Sequence, residues 1–77
     1  MKVIIVSPEK TLYNAEVECV EVPGENGRFE ILNNHAPIIS SLVAGMVNCK
    51  GTEPFTLEIN SGFIEVAHNE ISICVEL

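Results

Sequence analysis

The chain predicts an all-β fold, a sandwich or barrel of many short strands, from three observations. Where a clear period exists it is two, as in Phe55-Thr56-Leu57-Glu58-Ile59 and Ile71-Ser72-Ile73-Cys74-Val75-Glu76-Leu77. That is the spacing of an antiparallel strand with one face buried and one in water. Clusters of Gly, Asn, Pro and Ser break the apolar runs at short intervals, as turns between short strands do. No segment carries the 3.6-residue period of a helix longer than a turn or two.

The elements follow in order. Val3-Ile4-Ile5-Val6 is a short apolar strand stopped by Ser7-Pro8, because proline fixes φ and cannot donate a hydrogen bond. Tyr13-Asn14 reads as a turn. Ala15 to Val22 reads as one strand that changes phase. Val17 and Cys19 share a face, then Val20 and Val22 are apolar with Glu21 between them, so a β-bulge or bend is expected at Cys19-Val20. Pro23-Gly24-Glu25-Asn26-Gly27 is a hairpin loop, and the strand Arg28 to Leu32 leaves it. Asn33 and Asn34 tolerate the left-handed region and suit a turn. Pro37 then holds Ala36 extended, which makes His35-Ala36-Pro37 a corner between two strands. Ile38-Ile39 is a doubled apolar pair, and Val43-Ala44-Gly45-Met46-Val47 is almost free of polar groups. Consecutive apolar residues point to both faces of a strand, so one of those faces is expected to meet something outside the domain, with cover by a neighbouring loop as the alternative. Further turns fall at Gly51-Thr52-Glu53-Pro54, Asn60-Ser61-Gly62 and His68-Asn69-Glu70. Linkers, repeats and low-complexity tracts are absent, so residues 1–77 form a single domain.

Composition narrows the function. Eleven acidic residues, all glutamate, face four basic ones, a formal charge of −7. A phosphate backbone or an anionic lipid surface would be repelled, and no basic patch compensates. The glutamates are scattered among apolar residues, as on solvated strand faces. Cys19, Cys49 and Cys74 are odd in number and widely spaced. They read as small buried hydrophobes in a reducing compartment; no C-x-x-C pair points to a metal. The apolar run after Met1-Lys2 is too short for a signal peptide, and none approaches the ~20 residues of a membrane span. The expectation is an intracellular protein, soluble on its own.

The residues that could carry chemistry read better as structure. A nucleophile needs a base and an orienting acid that converge on it. His35 has no such companions in its segment, and Ser40 and Ser41 lie on a strand with no G-x-S-x-G turn around them. Glu16 and Glu18 share a water-facing side, which gives no reason for a raised carboxyl pKa. Pro23 to Gly27 lacks the lysine and following helix of a phosphate loop. No catalytic residue, cofactor or metal is implied.

The stretch from Gly27 to Gly45 carries the functional signal. It holds a glycine, an apolar strand, a turn ending in His35-Ala36-Pro37, more apolar residues and a closing glycine. In this order and spacing it resembles the N-terminal β-sandwich domain of the epsilon subunit of rotary F-type ATP synthase. The opening strand ending at Ser7-Pro8-Glu9, the run Asn60-Ser61-Gly62-Phe63-Ile64-Glu65-Val66 and Asn69-Glu70-Ile71-Ser72-Ile73 extend the resemblance over essentially the whole chain. It implies a flattened sandwich of two antiparallel sheets in a non-catalytic rotor subunit of the F1 complex. Such a subunit joins the gamma subunit of the central stalk to the c-ring and couples proton-driven rotation to ATP synthesis, at the cytoplasmic face of the membrane and without inserting into it. Carried over by position, Ser7, His35 and Ser40 lie toward gamma and Arg28 lies toward the c-ring. Two features depart from the family: Asn33-Asn34 stands where Pro-Gly is common, and Arg28 stands where some members are acidic. The C-terminal helical pair of many members is absent. With a Met1 start and a last strand ending at Leu77, the expectation is a natural short form rather than a truncated piece. A stand-alone β-sandwich adapter with a concave apolar pocket and a small hydrolase using His35 are the competing readings.

Overall fold

The computed structural model describes all residues, 1–77. It contains nine strands and no helix: β1 (Lys2–Val6), β2 (Thr11–Glu16), β3 (Cys19–Gly24), β4 (Gly27–Leu32), β5 (Ile38–Leu42), β6 (Gly45–Lys50), β7 (Phe55–Ile59), β8 (Ser61–Ala67) and β9 (Glu70–Glu76). The strands form one path, β2-β1-β9-β8-β5-β3-β6-β7, with β4 added to β3. The path folds over between β5 and β3, which pair only at Gly24 opposite Leu42. One layer is β2-β1-β9-β8-β5, and the other is β4-β3-β6-β7. The molecule measures 26 × 25 × 17 Å, a flattened shape that fits two sheets about 10 Å apart. All pairs are antiparallel except β1 with β9, which run parallel. The expected sandwich is present, with this one parallel pair added.

Alternation places the core. Val3 and Ile5 of β1, Ile71, Ile73 and Val75 of β9, and Ile64 and Val66 of β8 face Val20, Val22, Ile31, Val47 and Ile59 of the other layer, all buried. No charged or polar side chain is buried. The core is aliphatic, as the scarcity of aromatics requires.

The strand layer is nearly closed. At one margin β2 and β7 do not pair, but Tyr13 stacks on Phe55 with ring centroids 4.4 Å apart and planes 9° from parallel. The Tyr13 hydroxyl donates to the Glu53 carbonyl at 2.7 Å. At the other margin β4 and β5 face each other unpaired.

Several sequence expectations change here. Tyr13-Asn14 is no turn; it lies inside β2, because Tyr13 pairs with Ile5 and Asn14 with Ile4. The run from Ala15 to Val22 is two strands, broken at Val17-Glu18. The break lets Val17 take the Met1 carbonyl (2.8 Å) and Glu18 the Lys50 carbonyl (2.8 Å) as the chain changes layers. The phase change follows from that break. The register of β3 with β4 is unbroken through Cys19 and Val20, and the irregularity sits between Ile5 and Val6 instead. Cys19 and Cys49 are buried, but Cys74 is exposed. Its neighbours Ile73 and Val75 take the inward face of β9, and alternation turns it out. Asn34 (φ 64°) does adopt the left-handed backbone expected of its turn.

Candidate partner interface

The candidate surfaces lie outside the core, and alternation decides them. On the first layer Val6 pairs with Cys74, Cys74 with Phe63 and Phe63 with Ser41. Directly opposed residues point to the same face, and the adjacent row Ile5, Ile73, Ile64 belongs to the core. The first row therefore points out. Phe63 is 45% exposed and Ile39, on the same face of β5, is 66% exposed. A shallow cleft of about 380 Å³ beside Phe63 is lined by Val6, Ser7, Pro8, Cys74 and Glu76 among others. Ser7 closes the β1–β2 turn, donating its N–H to the Lys10 carbonyl at 2.9 Å.

A second surface is the open margin between β4 and β5. Arg28, Phe29, Ile38 and Ser40 line a groove there, with the β3–β4 turn at its end. Phe29 sits opposite the buried Val22, so its ring lies on the core side at the mouth of the groove. The Arg28 Nη1 donates to the Met46 carbonyl at 2.8 Å. That bond reaches over β3 and leaves the guanidinium without a carboxylate, since Lys50–Glu21 is the one ion pair. Ser40 shares a row with Ile64, which places it at the margin of the inner face, with its hydroxyl donating to the Ser41 carbonyl at 3.1 Å.

His35 occupies the corner after β4. The Asn34 N–H donates to Asn69 Oδ1 (2.8 Å) and the Met1 ammonium to Asn33 Oδ1 (2.8 Å). These bonds tie the corner to the end of the sheet where β1 begins and β8 turns into β9. The His35 N–H donates to the Leu32 carbonyl (3.2 Å). Its ring Nδ1 lies 2.7 Å from the Ala36 carbonyl, a contact in which Nδ1 must carry the proton. Ser7 stands at the opposite end, where β1 stops. The structure therefore separates Ser7 from His35 and sets Ser40 and Arg28 along one groove, two residues the family resemblance assigns to different partners. The exposed Phe63 went unnoticed in sequence, although Phe63-Ile64 repeats the doubled apolar signal of Ile38-Ile39.

On the outer face of the second layer the Cys19 thiol donates to Glu30 Oε2 at 2.9 Å. Burial first, then this bond to Glu30, pushes its pKa up to about 11. Burial likewise pushes the Cys49 thiol up to about 11. Both are protonated at neutral pH and are poor nucleophiles there. No group of three His, Cys, Asp or Glu side chains is placed to hold a metal ion.

A family model described as the ATP synthase delta/epsilon chain β-sandwich domain matches residues 1–77. The chain belongs to that family. It is similar to the ATP synthase epsilon chain of Leptospira interrogans, with 43% identity across 99% of this chain and 61% of the relative. The Dehalococcoides mccartyi epsilon chain is 35% identical across 99% of this chain and 55% of its own length. That of Caulobacter vibrioides is 37% identical across 94% and 85%. The chain thus spans less than two thirds of the Leptospira and Dehalococcoides relatives. Among solved structures, a chain of the central stalk/c-ring of the Tetrahymena thermophila mitochondrial ATP synthase matches with a TM-score of 0.86 at 17% identity, covering 99% of this chain and 63% of that one. A chain of the Euglena gracilis mitochondrial ATP synthase matches with a TM-score of 0.86 at 16% identity. At that identity the structural matches speak for the fold. No helix is long and apolar enough to cross a membrane.

Proposed function

We propose that this epsilon-family sandwich is a non-catalytic rotor element that joins the gamma subunit of an ATP synthase to its c-ring. In that place it carries ion-driven rotation toward ATP synthesis. It is held at the cytoplasmic face of the membrane through its partners, with no insertion of its own. The observation that carries the reading is the groove between β4 and β5, where Ser40, assigned to gamma, and Arg28, assigned to the c-ring, line one margin. A single junction at that margin lets two partners be gripped by one stiff body. The exposed Ile39 and Phe63 supply apolar area of the kind a protein partner covers. The buried, protonated Cys19 and Cys49 favour a coupling role over a nucleophilic one.

The test is size-exclusion with mass detection of the chain alone and mixed with the gamma subunit of the same organism. A one-to-one complex is expected, weakened strongly by a bulky Ser40→Trp. A chain that stays free at low and moderate salt overturns the gamma contact and moves the adapter reading to first place.

A further inference from the structure

Strand β4 keeps one edge unpaired, since its hydrogen-bonded neighbour is β3 alone. Which backbone groups it offers there can be read from β3. The Pro23 carbonyl accepts the Val43 N–H at 2.9 Å, so the polar side of Pro23 faces away from β4. Pro23 opposite Arg28 is therefore a non-hydrogen-bonded pair of the ladder, and the N–H and C=O of Arg28 point out of the free edge. By alternation those of Glu30 and Leu32 do the same. The Leu32 carbonyl is already taken by the His35 N–H. Complete donor–acceptor sets remain at Arg28 and Glu30, whose side chains are exposed, share the outer face and carry opposite charge. A strand edge of this kind is a template for another strand.

We propose that this edge recognises a second copy of the chain. Two β4 strands pair antiparallel about a two-fold axis through Phe29, with Arg28 of each opposite Glu30 of the other. In this register Arg28 and Glu30 exchange both backbone hydrogen bonds, and the symmetry makes the exchange twice. Each guanidinium, which has no carboxylate in its own chain, exchanges its bond to the Met46 carbonyl for the Glu30 carboxylate across the axis, whose Oε2 already accepts the Cys19 thiol. The two Phe29 rings meet on the inner side, at the mouths of the grooves. The register centred on Glu30 fails on two counts. It sets carboxylate against carboxylate, and it calls on the Leu32 carbonyl that His35 already holds. The charge of −7 on each copy opposes approach, so the pairing is weak and concentration-dependent. It does not rest on the stalk role. It does make dimerisation and any contact through Arg28 mutually exclusive.

Sedimentation equilibrium of the chain alone, from about 10 µM to about 1 mM, covers the weak range, and the mean mass is expected to climb toward that of a dimer. Arg28→Glu and Glu30→Arg should each weaken the dimer about tenfold or more, because two attractive pairs become repulsive. An equimolar mixture of these two variants should recover association as a heterodimer, and R28E/E30R should recover it alone. At high concentration the Arg28 and Glu30 amides should gain protection from hydrogen exchange, and the Phe29 amide should not change. A monomer throughout the range, single variants that associate like the unaltered chain, or a mixture that fails to recover would each overturn the proposal.

Discussion

The margin between β2 and β7 is closed by side chains where backbone pairing is missing, and this makes a measurable claim. Tyr13 stacks on Phe55 and its hydroxyl reaches the Glu53 carbonyl. A stacked aromatic pair contributes about 0.5–1.5 kcal/mol beyond the area it buries. The hydroxyl bond is exposed to solvent and sits at the low end of about 0.5–1.5 kcal/mol. Adding the lost burial of a half-exposed ring, Tyr13→Ala should cost about 2–3 kcal/mol in all. A domain of this size has roughly 4–12 kcal/mol in total, so the loss is a large share. With a urea slope near 1 kcal/mol/M, the midpoint should fall by about 2–3 M. The decisive assay is a double-mutant cycle in urea with Tyr13→Ala, Phe55→Ala and both together, plus Tyr13→Phe. The expected coupling is about 0.5–1.5 kcal/mol, and Tyr13→Phe should keep most of it. A coupling below about 0.3 kcal/mol, the usual additivity error, would refute the claim that this stack closes the sheet.

Four further outcomes are expected. Both buried thiols hold their protons to about 11 when folded against an ordinary 9.0. The folded state therefore binds more protons between those values, and stability, full below 9.0, should fall as pH rises toward about 11; Cys49→Val should flatten that slope in urea melts. Gly27→Ala, at φ +121° with nothing within 4 Å of the added Cβ, should cost about 1–2 kcal/mol from backbone strain alone. Gly24→Ala, whose Cβ would lie 2.6 Å from the Phe29 ring, should cost about 1–3 kcal/mol from overpacking and should be rescued in part by Phe29→Leu. Ile39→Ser on the outer face should change the thermal midpoint little, while Ile64→Val inside should cost about 0.5–1.5 kcal/mol; equal losses at the two sites would contradict the assignment of faces.

Much of the fold was legible because the relevant interactions are local. The alternation of Phe55–Ile59 and Ile71–Val75 names the buried face correctly, and Gly24 to Gly27 makes the hairpin their conformational freedom suits. The segment from Ala15 to Val22 misled because an apolar run cannot show where a chain changes layers. The break at Val17-Glu18 is set by the Met1 and Lys50 carbonyls, which are distant in sequence. The same distance hid the role of Tyr13, since its partners Phe55 and Glu53 lie on another strand and its loop. Cys74 was misplaced by residue type when its own alternation with Ile73 and Val75 already turned it outward. Of the proposed interface residues, Ser40 and Arg28 line one groove because β4 and β5 are left unpaired, and no one-dimensional pattern records the gap between two strands.

The parallel pairing of β1 with β9 has a consequence for how the chain reaches its fold. Val3 aligns with Ile71 and Ile5 with Ile73, so the first strand of this domain is held by its last. During synthesis the opening segment therefore has no sheet neighbour on that side until the closing one has left the ribosome. Closing a loop of nearly the whole chain is an entropic debt settled late. Folding should be slow for so small a domain, and the apolar Val3-Ile4-Ile5-Val6 should be the segment that chaperones meet first.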